Sequence, residues 1–128
     1  MKYLCLCHYD IAKHATRTAA DFEPIKAKCA VHDAQLYADP RFIAVGSFAD
    51  AADYAVIRPG EDGPSVQAGP YAQTPEPYGA FFLVEADSLE EAIEVASKHP
   101  RAHLGDEFGG GIEVRPCRYW REGDAAAG

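Results

Sequence analysis

Two short, strongly apolar segments place the tightest limit on what this chain can fold into. Residues 2–9 and 79–86 are apolar without a clean alternation of polar and apolar side chains. That pattern is typical of strands that are covered on both faces. The fold must therefore place other elements, or another chain, on each face of the sheet that contains these strands.

Two further segments have the spacing of helices. The first contains Pro24, which suits the first helical turn, and is expected to end near Asp39, because Pro40 disfavours helical dihedrals in the residue before it. The second begins at a capping box, in which Ser88 accepts a backbone hydrogen bond and Glu91 reaches back. Mostly apolar residues repeat along one face of each helix, and the first stripe includes a histidine. The stripes are Ile25, Cys29, His32 and Leu36 in the first helix, and Leu89, Ala92, Ile93 and Ala96 in the second.

The order of the remaining elements indicates the fold. Residues 41–48, 52–58 and 112–118 are predicted as strands, and a short strand is expected at 65–68 within a loop rich in proline and glycine. This order predicts a ferredoxin-like α+β fold, βαββαβ, with both helices on one face of the sheet. The other face is then bare, although its strands are apolar on both sides. A second copy of the chain is the simplest cover, so we predict a homodimer that forms a dimeric α+β barrel.

The acidic balance of the chain argues against two classes of partner. Its 128 residues carry 12 basic and 20 acidic side chains, a net charge of −8, with no cluster of Lys or Arg. Such a surface repels phosphate backbones and anionic membranes, so we expect no nucleic-acid partner and no membrane partner. The first residues lack the apolar length of a signal peptide, which indicates a cytoplasmic protein whose four cysteines are reduced thiols.

No metal and no cofactor are expected. Cys5, Cys7 and His8 are residue types that bind zinc, but on one strand the two thiols point to one face and the imidazole to the other. The glycine run at 109–111 precedes a strand rather than a helix, which excludes a phosphate-binding loop.

Three segments of the chain carry the features of one family. A Gly-Pro-Tyr turn at 69–71 is followed by Glu76 and an apolar strand, and the last strand contains Ile-Glu-Val-Arg-Pro at 112–116. Together they resemble the YCII-related proteins, also called the DGPF-domain family, which are small bacterial α+β proteins. The resemblance covers residues 1–118 as a single domain. It leaves 119–128 as a C-terminal tail that is expected to be flexible at its end.

The resemblance implies a dimeric α+β barrel without a settled activity. Barrels of this type include muconolactone isomerases and related dehalogenases, and other relatives are encoded beside, or fused to, extracytoplasmic-function sigma factors. The family motif is Asp-Gly-Pro-Phe, but this chain has Ala68 in place of the aspartate and Tyr71 in place of the phenylalanine. The His/Asp acid–base pair imagined for the family therefore cannot be built from position 68.

His32 is the candidate catalytic residue. It falls on the buried stripe of the first helix, and the resemblance implies that the family usually keeps a histidine there. Two interpretations stay open. His32 is either a core histidine satisfied by its neighbours, or a neutral imidazole that opens into a cavity and works as a general acid or base.

The turn and its surroundings supply the candidate ligand-binding residues. Glycine allows close backbone approach and proline fixes φ, so the turn is rigid and can present an aromatic ring. The candidate set is His8, Gly69, Pro70, Tyr71 and Glu76. A rigid connection at the edge of the sheet is the alternative explanation of the turn.

These observations predict a dimer that binds a small apolar or aromatic metabolite in a pocket near the first helix and the Gly-Pro-Tyr turn. The alternative is a lyase- or isomerase-like enzyme that uses His32 as general acid/base. A regulatory partner in a sigma-factor system is the second alternative. The alanine at position 68 favours binding over catalysis.

Overall fold

The central sheet has the strand order of a ferredoxin-like fold. The computed structural model describes residues 1–124, and the expected flexibility at the end of the tail concerns residues that lie outside this range. In chain order the strands are β1 (Lys2–His8), β2 (Phe42–Ser47), β3 (Ala55–Arg58), β4 (Ser65–Ala68), β5 (Tyr78–Glu85) and β6 (Gly111–Pro116). Four of them form one antiparallel sheet in the order β2-β5-β1-β6. The two apolar strands of the sequence are its two central strands.

The helices cover one face of this sheet. They are α1 (Ile11–His14), α2 (Ala19–Tyr37), α3 (Leu89–Ala96) and α4 (Gly105–Phe108), with 3₁₀ turns at Ala51–Asp53 and Pro100–Ala102. The core contains alternate residues of β1 and β5 together with residues of α2 and α3, among them Cys5, Cys7, Leu36, Phe82, Val84 and Val95, each fully buried. This arrangement confirms the predicted α+β fold and the placement of both long helices on one side. No helix within residues 1–124 is both long and apolar enough to cross a membrane.

α2 begins at Ala19, within the polar segment 16–23 that was expected to begin a helix, and before Pro24. Thr18 caps it by accepting from the backbone N–H of Asp21, whose carboxylate accepts in turn from the N–H of Thr18. Pro24 therefore lies inside the helix rather than at its start. The reciprocal cap satisfies two free N–H groups, which offsets the hydrogen bond that an internal proline removes.

α3 is capped as predicted but turns a different face to the core. Ser88 accepts from the N–H of Glu91, whose carboxylate accepts from the N–H of Asp87 rather than from that of Ser88. Ala92, Val95 and Ala96 are buried, whereas Leu89 and Ile93, expected in the buried stripe, are half-exposed. Ile93 instead lines an open cleft of about 210 Å³ between α3 and β6.

β3 and β4 form a separate two-stranded hairpin. The predicted strand at 52–58 starts only at Ala55, after the 3₁₀ turn, and pairs with the predicted short strand instead of with the central sheet. Ile57 lies opposite Val66, and these side chains are 69% and 73% exposed. We call this hairpin, residues 55–68, the arm.

A buried carboxylate joins the ends of the two long helices. Asp39 follows α2 and accepts from the backbone N–H of Arg41, from the Arg41 guanidinium at 2.9 and 3.0 Å, and from Lys98 Nζ at 2.8 Å. The Arg41 guanidinium holds the pKa of the Asp39 carboxyl far below its usual range. Lys98 follows α3, so this ion-pair cluster connects the two helices on the helical side of the sheet.

Candidate functional site

The end of β1 brings two of the predicted ligand-binding residues together. The pairing of β1 with β5 shifts register after Cys7, so that His8 lies opposite Tyr78. His8 Nδ1 lies 2.8 Å from the carbonyl oxygen of Glu76 and donates its hydrogen there, while its ring meets Tyr78 edge-on. His8 and Glu76 are therefore neighbours, in contact through a ring nitrogen and a backbone oxygen.

The Gly-Pro-Tyr turn directly follows the arm, and its Pro70 and Tyr71 are exposed to solvent. Gly69 has a φ of 97°, which explains why glycine stands there, and its N–H donates to the carbonyl of Tyr54. Tyr71 is 71% exposed, and the Arg58 guanidinium lies 4.5 Å from its ring centre. Within residues 1–124 no hydrogen bond or ring contact joins Tyr71 to His8 or His32.

His32 packs against the segment that follows α3. Its ring stacks on that of His103, with ring centres 4.4 Å apart, and its Nδ1 is buried without a hydrogen-bond partner in the described part of the chain. The sequence predicted that His32 faces the sheet. The 3₁₀ turn Pro100–Ala102, which directly precedes His103, contacts both α2 and β6.

A second group of side chains lies where β1 passes into α1. We call it the aromatic cluster: Tyr9, His14, Phe22 and Phe108. The His14 ring is at its centre, stacked on Phe22 at 5.8 Å, edge-on to Tyr9 at 5.1 Å and tilted towards Phe108 at 5.5 Å. His14 Nε2 is buried and has no hydrogen-bond partner in residues 1–124. Burial, reinforced by the charges of Arg17 and Arg101, lowers the pKa of His14, so this imidazole is neutral at neutral pH.

Arg101 lies against this cluster. Its guanidinium carbon is 3.9 Å from the ring centre of Phe108 and 5.8 Å from that of Tyr9. Its Nη1 is buried without an acceptor, and among the described residues it forms no ion pair. Burial lowers the pKa of Arg101, although the guanidinium of arginine stays charged in proteins.

Cys7 and His99 form a neutral pair beside Arg101. The His99 ring lies flat on Phe82, its Nδ1 accepts from the N–H of Arg101 at 3.0 Å, and its Nε2 is 3.7 Å from Cys7 Sγ. Burial lowers the pKa of His99 to about 4 and raises that of Cys7 to about 11. A nucleophilic cysteine needs a thiolate at neutral pH, so this pair is structural.

The described residues offer no metal site. Within residues 1–124 no group of three His, Cys, Asp or Glu side chains could hold an ion. Cys5 and Cys7 both point into the core, and burial raises the pKa of Cys5 to about 12.

His14 and Arg101 were not among the site residues predicted from the sequence. They come from α1 and from the 3₁₀ turn after α3, and neither belongs to a periodic pattern.

The matches to known proteins extend over most of the chain. The family model described as YCII-related domain matches residues 1–121. No curated protein matches the chain. Among solved structures, the chain is similar to 5-chloro-2-hydroxyhydroquinone dehydrochlorinase (TftG) from Burkholderia phenoliruptrix AC1100, in complex with 2,5-dihydroxybenzoquinone. The identity is 17% and the TM-score 0.44, over 96% of each chain. A likeness this weak carries no conclusion about activity or ligand.

Proposed function

The chain belongs to the YCII-related domain family, and we propose that it is a small-molecule-binding protein that works as a homodimer. Its ligand, a small apolar or aromatic metabolite, lies at the aromatic cluster beside the first turns of α2. The observation that supports this site is His14 Nε2, a buried nitrogen that lies among aromatic rings and has no hydrogen-bond partner in residues 1–124. Because buried polar atoms in native proteins nearly always have a partner, a ligand group that supplies one fits this position.

The predicted ligand-binding residues take two places in this proposal. His8 and Glu76 lie at the margin of the site, because residues 75–77 bond to the backbone of Tyr9 and Ile11. The turn at 69–71 belongs to the exposed end of the arm, and we assign it to the dimer rather than to the ligand.

Replacing His14 with phenylalanine tests the ligand site. The phenyl ring keeps the stacking but removes the unpaired nitrogen, so we expect the unliganded protein to gain about 1 kcal/mol in its free energy of unfolding. The same variant is expected to lose the thermal shift that small aromatic or lactone metabolites give with the wild type. Denaturant unfolding and a thermal-shift screen measure the two effects.

The control is His103→Phe, because His103 is exposed and its Nε2 already meets the Ser97 carbonyl. This variant is expected to gain no stability and to keep the ligand response. A His14→Phe protein that is destabilised and still responds to the same compounds would move the ligand site elsewhere.

The dimer is supported by the arm. A two-stranded hairpin is at best marginally stable in water, and this one carries its apolar pair, Ile57 and Val66, on the exposed side. β2, at the edge of the central sheet, adds the half-exposed Ile43 and Val45. A second copy of the chain gives these side chains the cover that the single chain lacks.

Placing a charge on the arm tests the dimer. Ile57→Lys is expected to weaken dimerisation at least tenfold, since one buried ammonium without a partner costs more than about 1.4 kcal/mol. Sedimentation velocity at micromolar concentration measures the change. Glu61→Gln, at the exposed tip of the arm, changes the net charge by the same amount and is expected to leave the dimer intact. A wild type that sediments as a monomer contradicts the proposal.

A lyase- or isomerase-like enzyme is the second candidate, with His32 as its general base. It is supported by the buried Nδ1 of His32, a nitrogen that no described residue occupies and that can accept a proton. This candidate differs from the first in requiring turnover of the bound molecule.

A further inference from the structure

Arg101 is a partly buried cation, with one buried guanidinium nitrogen and no counter-charge among the described residues. The chain has 20 acidic residues and a net charge of −8, yet none of the acidic residues within positions 1–124 forms an ion pair with this guanidinium. Arg41 shows the usual arrangement, since its half-buried guanidinium contacts the carboxylates of Asp39 and Glu94. Burying a charge without a partner costs several kcal/mol in general, so such a residue is typical of a site that binds the missing charge.

The titratable neighbours of Arg101 do not compensate its charge. Burial raises the pKa values of the Cys7 and Cys29 thiols, which are therefore protonated at neutral pH. Burial lowers the pKa values of His14 and His99, which are therefore neutral. None of these four side chains therefore supplies a negative charge to the guanidinium.

The side chains around Arg101 indicate the shape of the anion that fits beside it. The guanidinium lies over Phe108 and close to Tyr9, which leaves its N–H edge as the donor surface. His14 Nε2 is a second polar atom of the same cluster that has no partner in residues 1–124, and its ring is stacked on Phe22 and tilted towards Phe108. Arg101 is only partly buried, so a ligand can reach it from solvent. Stacked rings beside a cation fit a planar ligand whose charge lies on an oxygen in the ring plane.

We propose that Arg101 is the anion receptor of the ligand site, and that the ligand is a planar, conjugated oxyanion: a carboxylate, phenolate or enolate. This inference rests on the proposed function and adds the chemical class of the ligand. Arg101 donates to the oxyanion, and His14 Nε2 bonds to a second polar group on the same ring system.

Three small probes and three variants test the proposal by isothermal titration calorimetry. The probes are benzoate, 4-nitrophenolate and the neutral benzamide, which distinguish the two kinds of oxyanion from an uncharged ring. We expect the wild type to bind at least one oxyanion about 10–100-fold more tightly than benzamide. Arg101→Gln is expected to remove this preference, so that the oxyanions bind no more tightly than benzamide. The control Arg115→Gln changes an exposed arginine paired with Glu113 and is expected to alter neither affinity.

Other results of the titrations would overturn the anion receptor alone or the ligand site with it. If benzamide binds as tightly as both oxyanions and Arg101→Gln has no effect, the anion receptor is overturned while the ligand site stands. If the wild type binds none of the three probes at millimolar concentration, both are overturned. Should Arg101→Gln fail to fold, Arg101→Lys carries the test: it keeps the charge but loses the planar donor edge, so the oxyanion preference is expected to fall several-fold.

Discussion

Asp39→Ala is expected to lower the free energy of unfolding by about 2–4 kcal/mol, the range for removing a buried carboxylate that accepts several charged hydrogen bonds. The Asp39 side chain is 2% exposed, and its loss leaves Arg41 and Lys98 without their shared partner. Because these two residues follow α2 and α3, the ends of both long helices lose their connection. Urea unfolding at pH 7 measures the effect.

The effect of Asp39 also depends on pH. The pKa of its carboxyl is lower in the folded than in the unfolded protein, so its contribution is complete above the unfolded pKa of about 4 and falls progressively below it. Wild type and Asp39→Ala should therefore converge in stability as the pH drops below about 4. Glu94→Gln removes only the exposed outer carboxylate and is expected to cost less than about 0.5 kcal/mol. A difference between wild type and Asp39→Ala that persists unchanged in acid would contradict the role of the charge.

Gly110→Ala is expected to destabilise the protein by about 3 kcal/mol or more, combining the strain of a left-handed backbone with a steric clash. The φ of Gly110 is 61°, and a Cβ atom there would lie 2.8 Å from the backbone nitrogen of Tyr9 and closer still to the carbonyl of His8. Those neighbours are backbone atoms at the end of β1 and cannot rotate away. Thermal and urea unfolding measure the loss.

Gly111→Ala is the matched control for this clash. It lies in the same glycine run, but a Cβ atom there meets nothing within 4 Å. It is expected to change stability by less than about 0.5 kcal/mol, as surface substitutions usually do. Equal effects at both positions would show that glycine flexibility, and not the close approach to β1, explains the run.

The fold was largely predictable because its signals are local. The apolar runs identify β1 and β5, and Ser88 marks the start of α3 within a few residues of sequence. The start of α2 at Ala19 has a local signal too, the reciprocal cap of Thr18 and Asp21, although Pro24 also suits a first helical position. The separate arm could not be foreseen, since nothing in residues 52–58 says which strand they pair with.

The site was less predictable because distant segments build it. His8 meets Glu76 only through the register shift in β1, and Arg101 reaches the aromatic cluster only because the turn after α3 packs beneath α2. His14 and Arg101 each stand outside any periodic pattern in the sequence, so no spacing of residues marks them as site residues. Their missing partners become visible only when burial and neighbours are known.

The position of β1 between β5 and β6 has a consequence for biosynthesis. β1 is synthesised about 70 residues before the first of its two pairing partners, β5, which begins at residue 78. At about 5–20 residues per second, the apolar β1 waits for seconds without a hydrogen-bonding partner. Long-range pairing of this kind slows folding, so the central sheet cannot close before β6 has been made, and the apolar side chains of β1 are open to aggregation until then.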